Sequence, residues 1–145
     1  MKLTPHFSLA ELTFSATAQR KQINNTPPPV IVQNLHLLAA GLEDVRAALD
    51  GLPIRINSGY RCPALNRIVG GARLSAHLDG WAADFVCPDF GSPLEIVRVL
   101  ARSDLVFDKL IQEGTWVHIS FAPAARRQLL TAYFGVGGTT YTAGV

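Results

Sequence analysis

The sequence contains few of the residues on which several specialised protein classes depend. Its 145 residues include two cysteines, too few for a disulfide framework or a four-thiolate zinc site. Charged residues make up 17%, and 13 basic against 11 acidic side chains leave a formal charge of +2. Because nucleic-acid binding needs a concentrated basic surface, we expect no nucleic-acid partner. No apolar run approaches the roughly 20 residues that span a bilayer, so we expect no membrane insertion.

What is present is typical of one folded domain. Hydrophobic residues make up 48% of the chain, which argues against disorder, and no repeat or interior linker divides it. We therefore expect a single domain over residues 1–145. The first residues lack the apolar core of a secretory signal, which predicts a soluble protein made in the cytoplasm without an export tag. Cys62 and Cys87 are expected to be free thiols, with a bridge between them as the alternative.

Capping boxes, prolines in a first turn and apolar residues at helical spacing predict four helices. They are a short helix from Ser8, a long helix from Pro27–Pro29 to Gly51, a helix over residues 64–69 and a helix from Ser92 to about Arg102. Phe7 and Leu12 would form the hydrophobic staple of the first helix. A polar stretch over residues 15–25 separates the first two helices.

Strand-like patterns bounded by turn residues predict four strands. They cover residues 53–57, 81–86, 109–113 and 116–120, and the last two form a tight hairpin. The tail from Phe134 is rich in glycine and threonine and is expected to be loose or an edge element. Helices first and strands later predict an α+β fold, in which helices pack on a small antiparallel sheet.

Two of the four histidines have unusual surroundings. His77 lies in a loop before the strand that carries Asp84, and His118 lies in mid-strand on the face opposite the apolar residues. Two imidazoles and a carboxylate would leave one coordination position open, as in catalytic zinc sites. The alternative, which spacing alone favours, is a turn-capping aspartate and two histidines with satisfied hydrogen bonds. His6 and His36 are expected to be structural.

A hydrolase also needs a general base within reach of water. If the two residues after Glu113 form a tight turn, Glu113 pairs with Trp116 and shares a face with His118. The alternative is a hairpin-end residue that faces solvent. Arg61, after a turn, is either a bidentate ligand of a substrate carboxylate or a solvated loop residue. Asp79 is a weaker candidate for the base.

Four motifs follow one another along the chain. They are Ser58-Gly59-Tyr60-Arg61, Asn66 with Gly70-Gly71, Ser75-x-His77-x-x-Gly80-x-Ala82-x-Asp84 and Trp116-Val117-His118-Ile119-Ser120. In this order they resemble the M15 zinc D-alanyl-D-alanine peptidases, specifically their compact phage-type branch. The resemblance covers nearly the whole chain, and the combined signature is specific although each motif alone is not.

The resemblance implies a zinc peptidase that acts on peptidoglycan stem peptides and has the small α+β fold shared with the hedgehog signalling domain. By residue matching, His77, Asp84 and His118 would hold one Zn²⁺ ion. Arg61 would bind the substrate carboxylate or polarise its carbonyl.

The chain departs from that family at the expected base. Several members carry an acidic residue three positions before the last histidine, where this chain has Thr115. Glu113 is therefore the substitute catalytic base. Ser75 and Trp116 are assigned to substrate binding beside Arg61.

The resulting prediction is a monomeric, zinc-dependent D-Ala-D-Ala carboxypeptidase or endopeptidase of phage or prophage origin, an endolysin by function. It would reach the bacterial cell wall after holin-type release or as a virion component. Two alternatives remain open. One is a non-catalytic, metal-containing module that binds the cell wall, which Thr115 favours, and the other is a structural protein of the phage particle.

Overall fold

A six-stranded sheet forms the centre of the computed structural model, which describes residues 1–145. The helices are α1 (Leu9–Thr13), α2 (Ala16–Arg20), α3 (Pro29–Ala48), α4 (Pro63–Ile68), α5 (Pro93–Arg102) and one 3-10 helix (Ala76–Asp79). The strands are β1 (Lys2–Thr4), β2 (Phe7–Ser8), β3 (Arg55–Ser58), β4 (Ala82–Val86), β5 (Lys109–Gln112), β6 (Val117–Ser120), β7 (Gln128–Gly135) and β8 (Gly138–Ala143). The large sheet has the order β3-β4-β6-β5-β7-β8, and β1 pairs with β2 in a second, small antiparallel sheet.

The predicted α+β fold is confirmed, and the large sheet has two more strands than the sequence indicated. All of its pairs are antiparallel except β5 with β7. Apolar residues of α3 and α5 pack with Phe85, Val117 and Ile119 of the sheet in one continuous core. Full burial of each such side chain stabilises the fold by about 1.5–3 kcal/mol. Because strand residues alternate between faces, His118 lies on the opposite face, which borders a cavity.

The predicted local signals are found at the helix ends. The Ser8 hydroxyl accepts a hydrogen bond from the Glu11 backbone at 3.1 Å, and the Glu11 carboxylate accepts one from the Ser8 backbone, which completes the capping box. Helix α3 begins at a proline, as expected from the missing N–H. It ends before Asp50 and Gly51, whose φ values of 60° and 70° turn the chain out of the helix.

Three local features differ from the sequence predictions. Residues 15–25 contain helix α2, in which Ser15 accepts a hydrogen bond from the Ala18 backbone and Ala18 is buried. His77, expected in a loop, lies in the 3-10 helix. The small β1–β2 sheet was not predicted, since its strands are only three and two residues long.

The chain after β6 extends the sheet, and of the two expectations for the tail from Phe134 the edge element is the one found. After β6 the chain crosses to the far side of β5, where β7 pairs parallel to it and β8 returns as the edge strand. The crossover is held by Arg126, whose Nε and Nη2 donate to the two carboxylate oxygens of Asp108, both at 2.9 Å. No helix of the structure combines the length and apolarity needed to cross a membrane.

Candidate metal centre and surrounding cleft

Two of the predicted ligands lie on adjacent central strands of the sheet. Asp84 on β4 is the direct cross-strand partner of His118 on β6, so their side chains share one face. His118 Nδ1 lies 3.0 Å from Asp84 Oδ1. His77, from the 3-10 helix that precedes β4, places its Nε2 3.3 Å from the same oxygen. One ligand atom from each of the three residues lies within 4.8 Å of the others.

The orientation of the His77 ring is fixed by a backbone group. Its Nδ1 lies 2.7 Å from the carbonyl oxygen of Gly59, so Nδ1 donates the proton and Nε2 is left with a free lone pair. Such a hydrogen bond behind a ligating histidine is typical of metal sites. Gly59 in turn packs so closely on helix α1 that an added Cβ would collide with the carbonyl oxygen of Leu12. The ring is 2% exposed and has little freedom to turn away.

The donor set fits a divalent metal ion. Burial raises the pKa of Asp84, but the adjacent His118 and His77 rings outweigh it and hold that pKa well below its usual range. The site therefore offers one carboxylate and two imidazoles, the ligand types that zinc accepts. Three protein ligands also leave a position open, as catalytic metal sites require.

Glu113 lies beside these ligands on the same face of the sheet. Its backbone N–H donates to the Trp116 carbonyl at 3.1 Å, which closes the predicted hairpin between β5 and β6. The residue is 9% exposed, so it does not face bulk solvent as a hairpin-end residue would. Burial and the nearby Asp84 charge raise the pKa of Glu113, while His118 and Arg61 partly oppose them.

Arg61 approaches the same cavity from the loop after β3. Its Nη2 donates to the Ser75 hydroxyl at 3.4 Å, and its Nε is buried without a partner. Burial lowers the pKa of Arg61, and the charges of Asp84 and Glu113 oppose that shift. Arg61 also borders the cavity, so its positive charge is available to a ligand there.

Ser75 and Trp116 also line the cavity. The Ser75 hydroxyl accepts from the His77 backbone N–H at 3.2 Å and so caps the 3-10 helix. The indole Nε1 of Trp116 is buried and has no hydrogen-bond partner, and its ring lies 5.7 Å from that of Phe134.

All of the predicted site residues border one cavity of about 620 Å³, which we call the cleft. They are Arg61, Ser75, His77, Asp84, Glu113, Trp116 and His118. The cleft also has residues that the sequence did not single out, among them Phe134 and Tyr141 of the C-terminal hairpin.

The sequence comparison places this geometry in a family. Residues 5–120 match the family model described as Peptidase M15. The chain belongs to the M15 peptidase family. No curated protein matches the sequence. The match contains all seven predicted site residues and ends with β6, so β7 and β8 lie beyond it.

Family membership gives this M15 peptidase a metal-dependent hydrolytic chemistry, and the cluster of His77, Asp84 and His118 could hold the ion.

The remaining candidate residues from the sequence lie outside this cluster. Asp79 is exposed at the rim of the cleft, and His6 Nδ1 donates to the Glu43 carboxylate at 2.7 Å, outside the cleft. Both cysteines of the peptidase are free thiols.

The glycines of the second motif let a loop of the peptidase pack against the cleft. Asn66 is buried and its Nδ2 donates to the Ala72 carbonyl at 2.9 Å. An added Cβ on Gly71 would collide with Asn66 Oδ1 and lie 3.3 Å from Arg61 Nη2. A side chain at this position would therefore displace the groups that flank Arg61.

One residue that supports the cleft of the peptidase was missed in the sequence. The side chain of Asn25 donates to the carbonyls of Thr13 and Tyr60, at 2.9 and 3.0 Å, and accepts from the Cys62 N–H at 2.8 Å. It therefore holds the backbone on both sides of Arg61. A lone asparagine in a polar stretch carries no local signal of such long-range bonds.

Proposed function

We propose that this M15 peptidase is a zinc-dependent peptidoglycan hydrolase that cuts a stem-peptide or cross-link amide next to a D-amino acid. The observation that carries the proposal is the meeting of a three-ligand cluster with Glu113 and Arg61 in one cleft. A metal cluster alone would suit a structural site equally well. The added carboxylate and guanidinium supply the base and the substrate anchor that hydrolysis needs.

The proposed metal ligands are His77 through Nε2, His118 through Nδ1 and the Asp84 carboxylate. When bound there, zinc supplies a Lewis acid that lowers the pKa of water and polarises an amide carbonyl. The hydrogen bond from His77 Nδ1 to the Gly59 carbonyl, at 2.7 Å, keeps the ligand nitrogen pointed at the site. Zinc over other divalent ions is supported by the mixed imidazole and carboxylate donors.

Glu113 is the proposed general base and acid. Its carboxylate accepts a proton from the attacking water and returns it to the amine nitrogen as the amide bond breaks. Its raised pKa suits both roles. The carboxylate binds a proton more readily than that of an exposed glutamate, and the protonated group can then donate to the leaving amine. Partial burial keeps the proton from being lost to bulk solvent.

Arg61 is the proposed anchor for the substrate carboxylate or the polarised carbonyl oxygen. Its charge is uncompensated by any carboxylate contact within 4.0 Å, and its Nε is unpartnered. Ser75, which accepts a hydrogen bond from Arg61, and Trp116, which borders the cleft, are proposed as further substrate contacts.

The burial of Glu113 favours an enzyme over a binding module. Thr115, which stands where several family members carry their base, is exposed at the hairpin tip. Glu113 occupies the cleft instead, so the departure at Thr115 no longer supports a non-catalytic role. Action at the bacterial wall as a monomeric phage or prophage lysin is proposed from the resemblance of the motifs, with residues 1–145 as one peptidase domain.

The proposal is tested with defined soluble muropeptides and mass spectrometry of the products. Zinc-loaded protein is expected to cleave at least one fragment, to stop with a chelator and to recover when zinc is restored. The mass of the released piece identifies the bond. Failure of zinc-loaded protein to cleave any fragment would overturn the proposal and favour a binding or structural role.

Glu113→Gln tests the assignment of the base. The variant is expected to bind one zinc ion per chain and to lower kcat by about 10²- to 10⁴-fold, because it removes proton transfer but leaves the ligands in place. Asp79→Asn, at the rim, tests the competing carboxylate. An active Glu113→Gln variant beside an inactive Asp79→Asn variant would transfer the role to Asp79.

A further inference from the structure

We infer that the β7–β8 hairpin is a specificity-determining wall of the cleft and that Tyr141 contacts the substrate peptide. The hairpin lies beyond residues 5–120, the part of the chain that matches the family. The inference rests on the proposed function, since the ligand it assigns to this wall is the peptide hydrolysed at the same site.

The sheet register directs one face of the hairpin toward the metal cluster. His118 pairs with Ile111 of β5, Ile111 pairs with Leu130 of β7, and Leu130 pairs with Ala143 of β8. Paired residues share a face, so the row that begins with Asp84 and His118 continues across the hairpin. Every second hairpin residue therefore faces the cleft.

A second row of the same face leads from the proposed base to Tyr141. On one side, the backbone of Glu113 is hydrogen-bonded to Trp116. On the other side, Gln112 pairs with Thr131, so extending the β5–β7 register by one residue sets Glu113 beside Ala132. Ala132 pairs with Tyr141. Neighbouring strands are about 4.8 Å apart, so the backbones of Glu113 and Tyr141, with β7 between them, lie about 10 Å apart. On the cleft face, the only side chain between the two residues is the methyl group of Ala132.

The small side chain of Ala132 leaves Tyr141 free to reach over it. Tyr141 borders the cleft, and burial, with a further contribution from the charges of Glu113 and Asp84, raises the pKa of its phenol. The phenol therefore keeps its proton and can donate it in a hydrogen bond. Half of the side chain remains exposed, at 53%, which leaves surface for a ligand to cover.

Phe134 extends this wall toward the hairpin between β5 and β6. Its ring packs at a tilt against Trp116, with 5.7 Å between the ring centres, and it is 57% exposed. Tyr133, the preceding residue, faces the other side of the sheet and does not border the cleft. The aromatic wall is thus confined to the face that carries the site.

The wall is anchored to the rest of the fold. Arg126 binds Asp108 through two hydrogen bonds, and Arg127 donates to the carbonyls of Leu105 and Ser103 at 3.0 and 2.9 Å. Within the hairpin, the Thr131 hydroxyl donates to the Gly144 carbonyl at 2.7 Å and so ties β7 to the segment that follows β8. A surface held at its base in this way can select among ligands by shape.

The chemistry of the wall suits a short peptide with small side chains. Aromatic faces pack on methyl groups and amide planes, and a phenol donates to a peptide carbonyl or carboxylate. Arg61 borders the same cleft and offers a cation. A peptide that lies across the cleft would therefore have one contact with Arg61 and another with Tyr141, on either side of the bond that is cut.

The test compares Tyr141→Phe and Tyr141→Ala with the matched pair Tyr133→Phe and Tyr133→Ala on the opposite face. The substrate is the soluble muropeptide that wild-type enzyme cleaves fastest, and kcat and KM are measured separately. We expect Tyr141→Ala to raise KM about tenfold or more and Tyr141→Phe about threefold, in keeping with the loss of a ring and of one hydrogen bond. Both Tyr133 variants are expected to keep the wild-type KM.

The outcomes separate this inference from the proposed function. If wild type cleaves and the Tyr141 variants match their Tyr133 counterparts in KM, the inference is wrong and the proposed function stands. If zinc-loaded wild type neither cleaves nor binds any muropeptide, the proposed function and this inference fail together. Thermal melting checks folding, and if Tyr141→Ala fails to fold, the KM of Tyr141→Phe decides.

Discussion

Replacing Asn25 with alanine would remove the side chain that holds the backbone on both sides of Arg61. Three hydrogen bonds are lost, to Thr13, Tyr60 and Cys62. Each contributes about 0.5–1.5 kcal/mol, and water can replace part of them because Asn25 is half-buried. We therefore expect Asn25→Ala to lower the free energy of unfolding by about 2 kcal/mol, measured by urea denaturation.

The same variant is expected to separate substrate binding from metal binding. Asn25 contacts none of the proposed metal ligands, and only the Gly59 carbonyl behind His77 lies on the loop that Asn25 holds, so zinc affinity should fall less than substrate affinity. KM for a muropeptide should rise, because the loop that carries Arg61 loses its fixed position. Asn25→Asp keeps the acceptor for Cys62 but sets a carboxylate oxygen against the two carbonyls in place of a donor, so it is expected to be at least as destabilising as Asn25→Ala.

Asn24→Ala is the matched control. Asn24 is exposed and its side chain accepts one hydrogen bond, from the Thr26 backbone at 3.0 Å. We expect its stability to stay within about 0.5 kcal/mol of wild type. An Asn25→Ala variant as stable as Asn24→Ala would refute the argument from hydrogen bonds, and a destabilised variant with an unchanged KM would refute the positioning of Arg61.

Two further predictions concern the metal ligands and the base. Gly59→Ala is expected to destabilise the protein by about 1–3 kcal/mol and to weaken zinc binding, because the new methyl group displaces the carbonyl that orients His77. A wild-type zinc affinity of this variant, measured by calorimetric titration, would contradict the prediction. The pKa of Glu113 is raised, so its basic carboxylate form is lost as pH falls through that pKa. As the pH is lowered, kcat/KM should therefore begin to fall at a higher pH than an exposed glutamate would give. A decline confined to pH values below about 4 would be incompatible with Glu113 as the base.

The sequence brought the residues of the candidate metal centre together largely because their placement follows local rules. Strand alternation placed His118 opposite the apolar residues, and the tight turn after Glu113 set that residue on the same face. The order of motifs supplied the pairing of His77 with Asp84, which spacing alone did not favour. The structure adds the short distances that join them.

The parts that escaped prediction depend on contacts between distant residues. Asn25 bonds to residues up to 37 positions away, and no local pattern reveals such bonds. Strand β7 is recruited by parallel pairing with β5, which needs the crossover that Arg126 anchors. In the tail from Phe134, glycine and threonine obscure the alternation that marks a strand, so Tyr141 could not be assigned to a face.

The position of β8 at the end of the sheet has a consequence for how the enzyme behaves in concentrated solution. Its outer backbone groups have no neighbouring strand, and residues 138–145 carry no charged side chain that would discourage one. An extended segment of another molecule can add to this edge, beside the strand that carries Tyr141. Self-association there would crowd the mouth of the cleft, so specific activity should decline as protein concentration rises.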